Sequence, residues 1–153
     1  MRFATEVHTR GEWPEQETVA AVTLDYDSRR RRRARLRCKD GQVLHLSLPG
    51  APNLQEGDGL KLSNGGWIVV HVAEEDLLEV TCGTVQGLLT LAWQLGNCHL
   101  PLEIHSDRLF LRREKVFEDM LNRAEARVVP VRRPFQPCIG LAAAGMAHLH
   151  ADG

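Results

Sequence analysis

The sequence predicts an α+β protein: a small all-β domain, followed by a second domain in which elements run β-α-β-β-α-β. Three observations predict it. The first half alternates apolar and polar residues between corners rich in Gly and Asp. A helical period is found at two places, both after Asp76. Each helical stretch is flanked by short strand patterns, the split βαβ or ferredoxin-like arrangement.

In the first half, "ETVAAVTLDYDS" carries a β-branched run into an Asp-rich turn. "RARLRCKDGQVLHLSLPG" reads as a hairpin, with Lys-Asp-Gly at its corner. Leu36 and Cys38 share one side, and Leu44, Leu46 and Leu48 oppose Val43, His45 and Ser47. "EGDGLKLSNGGWIVVHVA" repeats the idea around Asn-Gly-Gly. The expectation is three or four hairpin strands in residues 1–73.

The domain over residues 74–137 opens with the strand "DLLEVTCG". "TVQGLLTLAWQLGN" then places Val85, Leu88, Leu89, Ala92 and Leu95 at helical spacing. Thr84 is its N-cap and Gly96-Asn97 its stop. "LPLEIHSDRLFLRRE" gives two short strands around Ser106-Asp107. "EKVFEDMLNRAEA" sets Val116, Phe117, Met120, Leu121 and Ala124 on one helical face, and "RVVPVRRPF" closes with a strand. Residues 138–153, "CIGLAAAGMAHLHADG", show no pattern that demands packing, and are expected to form a mobile tail.

At 153 residues, 43% hydrophobic and 25% charged, the chain has the composition of a soluble globular protein. No apolar run reaches the roughly 20 residues that span a bilayer, and the N-terminus lacks a signal-peptide core. The expectation is a cytoplasmic protein with no membrane partner. A net charge of −1 is not that of a nucleic-acid coat. The four cysteines are scattered without a C-x-x-C pair, so they are expected to be free thiols, mostly buried. There is no nucleophile elbow, P-loop or GxGxxG.

Two features hold chemistry. The run Arg29, Arg30, Arg31, Arg32 and Arg33 reads first as a solvated hairpin bend, and second as a docking patch for an acidic protein partner. The other is "GNCHLPLEI", with Cys98 and His99 adjacent. As neighbours at the start of a strand they would face opposite ways, which argues against a thiol–imidazole pair and against an enzyme. One histidine cannot hold a transition ion. His8, His45 and His71 fall in strands of the other domain, and His105 lies across a strand. His148 and His150, on the tail, are free to fold back. A two-fold axis near His99 would supply that imidazole twice. Such a set suits Ni(II), Cu(II) or Zn(II), and an open one gives its ion up.

These residues resemble the urease accessory protein E family of nickel metallochaperones, over nearly the whole chain. "DGQVLHLSLPGAPNLQEGDGL" is similar to that family's first domain; "EEDLLEV", "GNCHLPLEI" and "EKVFEDMLNRAEARVVPVRRPFQP" are similar to its second. Gly-Asn-x-His and Val-Phe-Glu-Asp-Met-Leu are the specific parts. The resemblance implies a first domain like the peptide-binding module of Hsp40 chaperones. It implies a homodimer with His99 as metal ligand and Ni(II) passed through an accessory GTPase to apo-urease; His148 and His150 are then the expected tail ligands. Zn(II) or Cu(II) would compete in vitro. Lys115 stands where the family often carries His, and the tail has few histidines, which implies few ions per dimer. Cys98 is at most a minor ligand.

Overall fold

The computed structural model describes residues 1–138. These residues divide into two compact units, with the boundary between Glu75 and Asp76, near the start of the strand that opens the second. The first unit holds β1 (Arg2–His8), β2 (Thr18–Leu24), β3 (Arg33–Arg37), β4 (Val43–Ser47), β5 (Gly59–Leu62) and β6 (Trp67–Val72). They form one sheet in the order β2-β6-β5-β1-β4-β3.

Both expected hairpins are present. β3 and β4 pair antiparallel with Arg35 opposite His45, and β5 pairs antiparallel with β6. The first turn closes through Gly41 N–H to Cys38 C=O at 2.9 Å, and Gly41 has φ +86°, a conformation glycine adopts without a Cβ clash. Gly65 and Gly66 do the same between β5 and β6, at φ +99° and +88°.

Six strands replace the three or four expected, because β1 and two parallel pairings, β1 with β4 and β2 with β6, have no turn signal to announce them. The inward residues Ala4, Val22, Leu44, Leu46, Leu60, Ile68 and Val70 pack into one buried cluster.

In the second unit β7 (Glu74–Thr81), α1 (Val85–Asn97), β8 (Glu103–Ile104), β9 (Leu109–Arg112), α2 (Lys115–Arg123) and β10 (Arg127–Pro134) follow in turn. The sheet order β10-β7-β9-β8, with β9 antiparallel to both β7 and β8, is the ferredoxin-like arrangement expected. Its core joins Leu78, Val80, Leu109 and Leu111 from the sheet to Leu88, Leu91 and Leu95 of α1 and Leu121 of α2. No helix among the described residues is long and apolar enough to cross a membrane.

The face of α1 differs from the one expected. Leu88, Leu91 and Leu95 turn inward, while Val85, Leu89 and Trp93 are 72%, 65% and 69% exposed. Apolar residues surround much of this helix, so periodicity misplaced the buried stripe by part of a turn. The result is an i, i+4, i+8 apolar stripe on the outside. In α2, Leu121 is buried with Phe117 and Met120 half-buried, but Val116 is exposed, as is Ala124 at the C-cap.

Candidate metal centre

α1 begins as expected. The Thr84 hydroxyl accepts the N–H of Gly87 at 3.0 Å, satisfying one of the helix's orphan donors. The other end departs from expectation. Gly96 and Asn97 are both helical, and Cys98 is the C-cap, its N–H donating to the carbonyls of Gln94 and Leu95. The chain reverses one residue later, at His99, whose φ is +59°. His99 N–H donates to Gly96 C=O at 3.0 Å, as in a helix ending on a left-handed residue.

Packing holds this turn in place. Leu95 is fully buried, and Leu102 nearly so, with Leu100 packed against the same core. The side chain between them is left outside: His99 is exposed. A left-handed backbone costs a residue with a Cβ roughly 1 kcal/mol or more, so glycine is the ordinary choice here. α2 ends the same way, on Glu125 at φ +61°. The turn itself is therefore this unit's way of stopping a helix; the imidazole is what distinguishes the first.

The five histidines among the described residues separate clearly. His71 Nδ1 meets Glu56 Oε2 at 2.7 Å, and His105 Nε2 meets Glu103 Oε2 at 2.6 Å. His45 stacks on Phe3 with ring centroids 5.0 Å apart, and His8 stands edge-on to Trp67 at 5.0 Å. His99 has no ring partner and no carboxylate among the described residues. Neither of its ring nitrogens is engaged by a described residue, and each is a potential ligand atom.

The remaining expected residues fall as follows. Cys98 is an exposed free thiol at a helix end, not in a strand, so strand alternation does not set its direction relative to His99. All four cysteines are free, but only Cys38 is buried; burial lifts its thiol above the ordinary range. His148 and His150 lie outside the described residues. Among the described residues no three His, Cys, Asp or Glu side chains are grouped to hold a metal. The described residues therefore offer His99 and the neighbouring Cys98, which by themselves are short of a coordination shell for Ni(II), Cu(II) or Zn(II).

The arginine run is not one surface. Arg29 is 1% exposed; its Nε donates to Leu54 C=O at 3.1 Å, and burial pulls its pKa down against the opposing pull of Glu75 and Asp25. It braces the interior and cannot meet a partner. Arg30 donates to the Tyr26 hydroxyl at 2.9 Å, and Arg31, Arg32 and Arg33 are exposed.

Sequence reasoning missed the left-handed His99. The readable signal was Leu100, an apolar residue placed to pack back on Leu95 across the cap, as such helix ends often require.

Comparison with known proteins agrees along both units. Residues 3–73 match the family described as "UreE urease accessory protein, N-terminal domain", and residues 75–153 match its C-terminal domain. The urease accessory protein UreE of Beijerinckia indica subsp. indica is 40% identical over 152 residues, covering 99% of this chain and 87% of that protein. That of Chelativorans sp. (strain BNC1) is 45% identical over 132 residues, 86% of this chain and 81% of the relative. The Ruegeria pomeroyi protein is 37% identical over 146 residues, 95% of each. The chain belongs to the UreE family of urease accessory proteins, and is an accessory protein in urease maturation, not an enzyme.

Proposed function

We propose that this chain is a cytoplasmic nickel carrier that works as a homodimer. One His99 from each copy meets a single Ni(II), His148 and His150 supply further imidazoles, and the ion passes through an accessory GTPase to apo-urease. The observation that carries this reading is the state of His99: the one described histidine whose ring is exposed and unpartnered, on a turn pinned by buried leucines. Neutral imidazole is a ligand for Ni(II), Cu(II) and Zn(II), and intrinsic affinity does not rank nickel above copper. A second copy brings a second His99 to the ion, where the described residues of one chain offer only His99 and Cys98 side by side. The exposed stripe Val85, Leu89 and Trp93 runs along the helix that ends at His99, and apolar surface of that kind is what a subunit contact covers. An open shell completed by tail imidazoles can release its ion, unlike a closed structural site.

Calorimetry with Ni(II), beside sedimentation, tests this. Wild type should bind about one ion per dimer by the symmetry argument. His99→Ala should lose roughly a hundredfold or more in affinity, beyond what loss of a supporting neighbour costs. Truncation after Cys138 should weaken binding with the dimer intact. An unchanged isotherm for His99→Ala would sink the reading.

A further inference from the structure

The outer face of the first unit's sheet carries a charged surface that the nickel reading does not use. β3 is an edge strand, and its residues alternate: Ala34 and Leu36 pack toward the core, while Arg33, Arg35 and Arg37 are exposed on the other face. Across the hairpin these three register with Ser47, His45 and Val43, so none faces a carboxylate. Arg33 and Arg35 make no ion pair or hydrogen bond among the described residues. Arg37 donates to the carbonyl of Gly41 at 2.9 Å. Asp40, the carboxylate of the hairpin turn, is already held by Arg2 at 2.8 Å.

An aromatic pair lies beside them. His45, opposite Arg35, is in turn opposite Phe3 of β1, and the two rings stack at 5.0 Å and 22°. Phe3 is 44% exposed, with His45 on one face of its ring, at the border of a guanidinium row.

We propose that this face docks an extended acidic segment of a partner protein. Alternate residues of a strand are about 6.7 Å apart, so the three guanidiniums span roughly 13 Å; an extended chain with a carboxylate at every second residue has the same period. Arginine fits carboxylates in bidentate geometry, and arginine and aromatic side chains are enriched where proteins bind one another. A nucleic acid would need open ring faces for its bases, and one face of Phe3 is already taken by His45. The docking surface is therefore not the run Arg29 to Arg33 as a block. Arg29 is excluded by burial, and the surface follows the outward side chains of β3.

The test uses the full chain and fluorescence anisotropy of a fluorescein-labelled peptide in which glutamate and threonine alternate. A glutamine version of the peptide and an oligo-dT strand run beside it. Arg33→Glu with Arg35→Glu should weaken binding of the glutamate peptide about tenfold or more, since two ion pairs become repulsions. Arg33→Gln with Arg35→Gln should weaken it about threefold, and serves if the charge-reversed pair does not fold. Nickel binding of either pair should equal wild type, which separates this proposal from the carrier reading. The glutamine peptide should bind far more weakly. Equal affinity of wild type and both arginine pairs, or tighter binding of oligo-dT than of the glutamate peptide, would overturn the proposal.

Discussion

His99 and His105 stand six residues apart in one unit and are used in opposite ways. His105 follows β8, and its Nε2 is bound to Glu103, whose carboxylate is 9% exposed and also accepts from Arg133 at 3.0 Å and the N–H of Gln136 at 2.8 Å. Arg133 in turn lies 4.0 Å over the Phe110 ring. That imidazole is one member of a filled network. His99 has its backbone held and its ring left over. The fold invests in the position of one histidine and in the bonding of the other, and the first is the pattern expected of a group that must meet something from outside.

The comparison rests on what lies beneath each residue, and the largest expected effect breaks it there. Leu95 is fully buried under the turn that presents His99. Leu95→Ala should cost about 2–5 kcal/mol, the transfer loss plus the cavity, read as a lowered midpoint in urea denaturation. Because the same residue anchors the helix end, nickel affinity should fall too, although Leu95 is no ligand. A cost under 1 kcal/mol would mean that the turn is not held from below.

How far all this was legible depends on whether the information is local. Thr84, Lys-Asp-Gly and Asn-Gly-Gly act through bonds to residues a few positions away, so the cap and both hairpins could be read directly. The parallel pairs β1–β4 and β2–β6 join residues some forty to fifty positions apart, as Phe3 and His45 or Thr23 and His71, and no turn residue marks them. The buried face of α1 was misread because Val85, Leu89 and Trp93 are as apolar as the leucines that are inside. Arg29 was misread for a different reason: its acceptor is a backbone carbonyl, Leu54, which every residue type possesses. At the candidate site, His99 was legible by type and position, and its left-handed backbone was not, since Gly96-Asn97 offered a stop signal two residues too early.

A smaller effect sharpens the contrast from the His105 side. His105→Ala removes one of the donors to Glu103, with Arg133 and Gln136 remaining. The imidazole is 44% exposed, which discounts the bond for solvent, and the cost should be about 1 kcal/mol in the same assay. Nickel affinity should not change; a matching loss would put His105 in the site.

The other held histidine makes a prediction about pH. Partial burial pushes the Glu56 carboxyl up, but the N–H of Val72 at 2.9 Å and His71 outweigh it and hold its pKa below the ordinary value. A depressed acid contributes stability that is present above its unfolded value of about 4.3 and is lost as pH falls through the lower folded value. Glu56→Gln should therefore show a shallower decline of stability below about pH 4 than wild type in acid unfolding. Parallel curves would detach this pair from acid stability.

The smallest effect has the opposite sign and is the most specific. At φ +59° a side chain is disfavoured by roughly 1–2 kcal/mol relative to glycine. Glycine gives back about 0.4–1 kcal/mol by gaining freedom in the unfolded chain. The balance for His99→Gly is a stabilisation of about 0.5 kcal/mol, together with loss of nickel binding. His105→Gly has no such relief to collect and should only destabilise. The measurement is a pair of urea curves beside a pair of nickel titrations. Stabilisation with lost binding would mean that this imidazole is kept at a position where glycine is better for the fold, which is the mark of a residue retained for its ligand. Destabilisation by glycine at position 99 would instead assign the ring a packing role, and the two histidines would no longer stand apart.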